Sequence, residues 1–565
     1  HRRELIRTFV DAATRAIEAG KSEAPYAYVV PGAQHDPATA DRMISILMQQ
    51  GVEVHRAKSD FSVDGKKYKE GSYVILLAQP YRANVKCLFE AQRYPDRRIY
   101  PGGPAEPPYD VAGWTLPMQM GVEYAEAGAR FDARLEKIEA TEASLKSVEP
   151  VGLDHATGML LYIRADANNA YAFVNDLAKS RADIMLTRLK GPATVGGESY
   201  PAGTFVFEFK SPTKKAKGAA PEIRPRYSQM AGEIRKLSSK YGVGFDIQFV
   251  RNDKDSAKRN VNSVDREKLT PPRIALYKSW LPSMDEGWTR WVLEQFKFQY
   301  KTVVDAEVRA GKLRESFDVI ILPDQGAQQI VAGNRAGSYP PEFTGGVGEA
   351  GVESLRSFVE SGGVLICLDS ASELAVKRFN LPVKNALEEL RRDQFYAPGS
   401  IFRATVDTSQ PIAYGMPVEA DLYFVSGTRR AQATEPDAGP GALPARPEPQ
   451  AVEPARASEQ AAPESAARTQ SARRADASTL VSAFAFEITD PQRARSVARY
   501  VDGNPLRSGW LLGPQYIAGR SALVDVSLGR GRVVLFGFRP QHRAQTWGTF
   551  KFLFNSIMLG GSNRD

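Results

Sequence analysis

Two stretches decide the fold: Phe317-Asp318-Val319-Ile320-Ile321-Leu322-Pro323-Asp324 and Val364-Leu365-Ile366-Cys367-Leu368-Asp369. Each carries a short unbroken apolar run, Val319–Pro323 and Val364–Leu368, closed by an acidic residue. A half-buried strand alternates apolar and polar residues, whereas a strand covered on both faces does not. Both runs therefore predict central strands of a parallel sheet. Between them, Gly351–Ser361 has helical spacing and ends in Gly362-Gly363, a glycine stop. Before them, Arg273–Lys278 is strand-like, and Asp285–Tyr300 is helical with Trp288, Trp291, Val292 and Phe296 on one face. After them, a helix from about Ala371, order resuming at Leu480–Phe486, strands Ala522–Ser527 and Arg532–Phe538, and a last helix Trp547–Met558 continue the pattern. Strands alternating with helices imply an α/β, doubly wound parallel sheet covered on both sides.

Upstream, a smaller unit occurs twice. Val63-Asp64-Gly65, Tyr68 and Gly71-Ser72-Tyr73-Val74 correspond to Val195-Gly196-Gly197, Tyr200 and Gly203-Thr204-Phe205-Val206, all offset by 132 residues. Arg56 and Lys58 fall on Arg188 and Lys190 at the same offset, and the preceding helices (Ile44 and Leu47; Val174 and Leu177) match at 130. The predicted unit is strand, helix, strand, tight turn, strand. Its recurring glycine and tyrosine are explained by turn geometry and packing.

The full chain is 565 residues, 42% hydrophobic and 25% charged, which excludes a wholly disordered or fibrous protein. Its net charge of +8 is a small excess at this length and does not point to nucleic acid. The basic stretches 210–226 and 251–268 lack interleaved aromatics and read as solvated linkers. Residues 431–480 hold 15 Ala, 7 Pro and no aromatic residue, a composition expected to be disordered. No apolar run approaches the about 18 residues that span a bilayer. Cys87 and Cys367 are too few for a disulfide framework or a cysteine-rich zinc site, and the five histidines give no local spacing from which a metal site is proposed.

The candidate chemistry lies at the ends of the apolar strands. Asp324 and Gln325 follow one, Asp369 and Ser370 the next, and Arg539 and Gln541 a third. Ligands of open α/β sheets sit at such carboxyl ends. The competing reading is structural, with Asp369 or Ser370 capping a helix and Asp369 pairing with Arg539. The strand–elbow–helix arrangement resembles the class I glutamine amidotransferase-like fold over roughly residues 272–560. In that family a Gly-x-Cys-x-Gly elbow carries the nucleophile, and a later Phe-His-Pro-Glu supplies its base and the base's carboxylate. Here the elbow reads Leu365-Ile366-Cys367-Leu368-Asp369, and counting back from the next helix places Leu368 or Asp369 at the nucleophile position. The later motif reads Phe538-Arg539-Pro540-Gln541, and Arg cannot accept a proton near neutral pH. The resemblance thus implies a catalytically silent relative. A stand-alone hydrolase using Cys367, Asp369 or Ser370 is the alternative. A further alternative is a glycan- or peptide-binding module using Trp114, Trp280 and Trp288.

Further strings extend the resemblance to nearly the whole chain: Pro25–Pro31 (PYAYVVP), Tyr94–Arg98 (YPDRR), Pro107–Pro117 (PPYDVAGWTLP), Asp285–Trp291 (DEGWTRW) and Phe538–Arg543 (FRPQHR). Together they resemble the C-terminal region of large bacterial zinc carboxypeptidase-like proteins. That resemblance implies an upstream peptidase domain holding the zinc, whose final helix is residues 1–22, with no cofactor in this chain. The repeat and strand pattern place α/β units at 23–128 and 129–268, the second with its basic linker, and an amidotransferase-like domain split into 269–430 and 481–565 by the insert at 431–480. The resemblance implies partnership with the peptidase domain and with a peptide or cell-wall ligand, no nucleic acid, and a periplasmic or extracellular location.

Overall fold

The computed structural model describes residues 1–141, 156–181, 184–210, 223–251, 264–430 and 479–562. Residues 431–478 of the compositionally biased insert and most of the two basic stretches lie outside these residues.

Helix α1 (Arg2–Ser22) leaves Leu5, Ile6, Phe9 and Val10 exposed along one face. Only its last turn docks. Gly20 is buried so closely on the next unit that a Cβ would lie 2.0 Å from the Leu77 carbonyl oxygen.

The first unit comprises β1 (Ala27–Val30), α2 (Pro37–Gln49), β2 (His55–Ala57), the hairpin β3–β4 (Phe61–Val63 and Lys66–Tyr68), β5 (Tyr73–Leu76), β6 (Ala125–Ala127) and β7 (Leu135–Lys137). Its sheet order is β6-β1-β5-β2-β7, with every pair antiparallel. The second unit has β8 (Ala156–Ile163), α3 (Asn168–Ser180), β9 (Met185–Leu189), the hairpin β10–β11 (Ala193–Val195 and Glu198–Tyr200), β12 (Phe205–Lys210), β13 (Asp246–Arg251) and β14 (Arg266–Leu269). Its order, β13-β8-β12-β9-β14, repeats the first, again antiparallel throughout. Even the register repeats: Tyr73 faces Arg56, and Phe205 faces Arg188. The turn glycines Gly65 and Gly197 both have φ near +80° (+73° and +88°), a conformation that favours glycine over residues with a Cβ.

The two units meet at their helix N-termini. Asp36 is the N-cap of α2, accepting from Thr39 N at 3.0 Å, and also accepts from Asn168 N at 2.8 Å at the start of α3. One carboxylate thus satisfies orphan donors of two helices at once. Asp36 and Asn168 are themselves 132 residues apart.

The larger sheet begins with β15 (Ile274–Lys278), α4 (Met284–Gln295), β16 (Tyr300–Val304), β17 (Val319–Leu322), α5 (Gly348–Glu360), β18 (Val364–Cys367) and α6 (Ser372–Arg378). It continues with β19 (Ser400–Val406), β20 (Glu419–Phe424), the ribbon β21–β22 (Gly427–Arg430 and Thr479–Ser482), β23 (Ala494–Tyr500), β24 (Ser521–Leu528), β25 (Gly531–Phe536) and α7 (Phe550–Ser562). The order is β16-β15-β17-β18-β25-β24-β23-β19-β20, with Val383–Asn385, Phe486–Ile488 and Leu506–Ser508 off this path. The first five strands are parallel, and every residue of β17 and β18 is buried. From β24 onward the pairing is antiparallel, so four antiparallel strands extend the predicted doubly wound parallel sheet. Of the antiparallel strands, Ser521–Leu528 matches the predicted strand at 522–527, whereas Ser400–Val406, Glu419–Phe424 and Ala494–Tyr500 carry charges within them and no comparable apolar run. α7 is buried almost along its whole length and packs Phe550, Phe554 and Ile557 into the core shared with the second unit.

The aromatic and Pro/Gly strings of the first unit join it to this sheet. Tyr94 stacks on Trp510 at 5.6 Å, Gln92 Oε1 accepts from Ser508 Oγ at 2.8 Å, and the Asp110 carboxylate pairs with Arg543 at 2.6 Å.

Candidate functional site

Four adjacent parallel strands end side by side, and each sends one charged residue to the same place. Asp285 stands in the first turn of α4 after β15, Asp324 after β17, Asp369 after β18, and Arg539 after β25. The Arg539 guanidinium lies at their centre. Nε donates to Asp369 Oδ2 at 2.9 Å, Nη2 is 2.6 Å from Asp324 Oδ2, and Nη1 reaches Asp285 Oδ2 at 3.4 Å. Asp324 Oδ1 also accepts from Ser370 N at 2.9 Å. Arg presents five donors in a planar fork, which is why one guanidinium can serve several carboxylates.

Asp369 is the elbow residue. It follows β18, opens the short 3-10 turn before α6, and has φ +48°, the left-handed conformation of a sharp turn. It is 2% exposed. Burial, reinforced by the charge of Asp324, pushes its carboxyl up to about 7 against the pull of Arg539. Burial likewise raises Asp285 to about 7, again opposed by Arg539. Three carboxyls facing one cation leave negative charge in excess, and taking up protons relieves it.

Cys367 is not at the elbow. It ends β18 inside the apolar core beneath the helices, fully buried, and burial alone raises its thiol far above the ordinary range. A nucleophilic thiol needs the opposite surroundings, exposed and electropositive. Ser370 contributes its backbone N–H to the cluster. Gln325 lines a separate cavity of about 230 Å³ with Tyr277, Ser279 and Trp280. Gln541 is fully buried and donates to Thr289 Oγ1 at 3.0 Å, leaving its Oε1 without a partner. Of the proposed ligand-binding residues, Asp324, Asp369 and Arg539 are therefore brought together, while Gln325 and Gln541 are not part of the charged cluster.

The sequence reading missed Asp285 and the aromatic wall beside Arg539. His542 stacks on Tyr423 at 4.0 Å and meets Trp288 edge-on at 5.2 Å. Neither ring nitrogen has a hydrogen-bond partner, and burial, with the charges of Arg539 and Arg543, lowers its pKa to about 2. It stays neutral and is not hydrogen-bonded to any acid or nucleophile of the cluster. Trp288 is half-buried against this histidine, and Trp291 is exposed.

No group of three His, Cys, Asp or Glu among the described residues could hold a metal ion. His1 has Glu4 three residues on, and both are exposed at the start of α1. Among the described residues no helix is long and apolar enough to cross a membrane.

The strand order β16-β15-β17-β18-β25 and the elbow after β18 make this part of the chain doubly wound, with the layout of a class I glutamine amidotransferase-like domain. No family model and no curated protein matches the chain. Among solved structures it is similar to a cytoplasmic protein of Salmonella typhimurium (13% identity, TM-score 0.28, covering 51% of this chain and 97% of the other). A ThuA-like protein from Bacteroides uniformis (7%, TM-score 0.25, 52% and 92%) is also similar. So is a protein described as a GMP synthase subunit from Thermoplasma acidophilum (9%, TM-score 0.27, 52% and 97%).

Proposed function

We propose that this chain is a non-catalytic accessory region of a zinc metallocarboxypeptidase-like protein, scaffolding the enzyme or binding its substrate or partner, with the zinc and the peptidase activity upstream of residue 1. The observation that carries the non-catalytic part is Arg539. It stands where the amidotransferase-like motif has its base, cannot take a proton, and is held by three carboxylates, that of the elbow residue Asp369 among them. Asp369 has the elbow position and a carboxyl near neutrality. Its Oδ2 accepts from Arg539 Nε at 2.9 Å, so that oxygen is already engaged. Leu5, Ile6, Phe9 and Val10, exposed on one face of α1, form an apolar surface of the kind that marks an interaction site, which fits an accessory role. The peptidase relationship and an exported location rest on the sequence strings alone.

The test assays the purified chain for zinc by mass spectrometry and for cleavage of C-terminally unblocked peptides, glutamine and a p-nitrophenyl ester. The expected result is no stoichiometric zinc and no turnover above buffer. Stoichiometric zinc, or turnover abolished by Asp369→Ala, would overturn the reading. Sequencing the frame upstream then tests the parent: a peptidase domain there supports the relationship, and its absence removes it.

A further inference from the structure

One strand away from the elbow the large sheet reverses its direction of winding, and a cavity lies in the crevice this opens. From β15 the chain passes through α4 outward to β16, and from β17 it passes through α5 the other way, to β18. Right-handed crossovers in opposite directions put the two helices on opposite faces of the sheet. Val292 and Leu293 of α4 accordingly belong to one apolar core, and Leu355 and Phe358 of α5 to the other. The segments leaving β15 and β17 therefore part, and open α/β sheets hold ligands at such a switch point. The cavity of about 230 Å³ stands there. Tyr277, Ser279, Trp280 and Glu286 wall it from the β15 side, and Pro323 and Gln325 from the β17 side. It is separate from the charged cluster although their residues are neighbours in sequence: Asp285 and Asp324 turn to Arg539, whereas Glu286 and Gln325 line the cavity.

Most polar groups of this wall already serve the fold. Tyr277 Oη donates to Asp305 Oδ1 at 2.6 Å, Ser279 Oγ accepts from Leu281 N at 3.1 Å, and Glu286 is paired with Arg290. Gln325 is left over. It is 9% exposed, yet its side-chain amide forms no hydrogen bond among the described residues. An amide carries two donor hydrogens and an acceptor, and burying them unpaired is costly. A buried amide without a partner, on the wall of a cavity at a switch point, marks a site that a ligand completes.

We propose that this cavity binds a single neutral sugar ring. Arg290 balances the charge of Glu286, and Lys278 at the rim is exposed to solvent, so the cavity holds no spare charge for an ionic ligand. Trp280 and Pro323 offer apolar surface to the C–H face of a ring. Hydrogen-bonding groups stand on both sides of the crevice, which suits hydroxyls spread around a ring better than the single polar edge of a nucleobase. The volume is below that of pockets for drug-sized ligands and suits one ring rather than a chain. The proposal rests on the ligand-binding part of the accessory reading and not on the peptidase relationship.

The experiment titrates the full chain with glucose, galactose, mannose and N-acetylglucosamine, followed by calorimetry and tryptophan fluorescence. Glucuronate, glucosamine and adenine are the charged and planar comparisons. The expected result is that at least one neutral sugar binds with a Kd of about 10 mM or tighter, and about tenfold or more tighter than the three comparison compounds. Trp280→Ala and Gln325→Leu should each weaken that binding by about tenfold or more. Because Gln325 has no hydrogen bond to lose, Gln325→Leu should leave the melting temperature unchanged or raised, which separates lost binding from lost folding. The proposal is overturned if no neutral sugar binds at that level, if a comparison compound binds as well or better, or if both variants bind like the wild type. Such a failure would leave the zinc and turnover tests of the accessory reading as they stand.

Discussion

Replacing Arg539 by Met keeps side-chain length but removes the cation that touches Asp285, Asp324 and Asp369 together. Stripping one partner from a buried ion pair costs about 3–5 kcal/mol, because the remaining charge stays buried without compensation. Here Arg539 is mostly buried and three carboxyls share it, so the variant belongs in that range. For a domain of this size about 1 kcal/mol moves the melting temperature by about 2–4 °C, which gives a fall of about 6–20 °C at pH 8. The pH dependence has a definite sign. The folded-state pKa values of Asp285 and Asp369 lie near 7, above the unfolded carboxyl value. Such groups favour the folded state at low pH, and that stability is lost as pH rises through about 7. Without Arg539 both carboxyls titrate higher still. The gap between variant and wild type should therefore be wide at pH 8 and should narrow at pH 5, where the carboxyls can be neutral. Asp369→Asn is the companion variant. It removes one of the excess negative charges at a positive-φ position that Asn tolerates well, and should leave the melting temperature unchanged or raised at pH 8. Calorimetry at both pH values checks this. A gap of equal width at pH 5 and pH 8, or a fall of less than about 2 °C, would refute the idea that Arg539 neutralises the elbow.

Two further outcomes test other parts of the structure. Iodoacetamide on the native chain should alkylate exposed Cys87 and leave buried Cys367 intact until denaturant is added, as read by peptide mass spectrometry; rapid native labelling of Cys367 would place it outside the core. Asp36→Ala should lower stability by about 1–3 kcal/mol in chemical denaturation, more than an ordinary cap, because it uncaps α2 and also withdraws the acceptor from Asn168 N; a loss under about 0.5 kcal/mol would contradict the shared cap.

The most legible parts of the sequence were those in which one physical cause acted alone. β17 and β18 are buried on both faces, so their runs could hardly be read otherwise. The repeated hairpins were visible because glycine is favoured at their left-handed turns. The pairing of Asp369 with Arg539 followed from two motif substitutions seen together. The strands Ser400–Val406, Glu419–Phe424 and Ala494–Tyr500 were not foreseen. Their apolar residues are interrupted by charges (Arg403; Glu419 and Asp421; Arg495 and Arg499), so no unbroken apolar run marks them. Asp285 escaped notice because an acid in the first turn of a helix is usually explained by the helix dipole. Its role depends on Arg539, 254 residues away, and no local pattern carries that.

The ribbon Gly427–Arg430 with Thr479–Ser482 has a consequence for how this chain can be altered. Arg430 and Thr479 face each other across one ladder, so the two edges of the 48-residue stretch between them are held a single strand spacing apart by the fold itself. The entropy of closing a loop grows only with the logarithm of its length, and doubling or halving that stretch changes it by about 0.6 kcal/mol. The large sheet is thus buffered against the length of what is spliced between its two halves. Whole domains could be inserted there, or new termini opened, while the strand order on either side remained as it is.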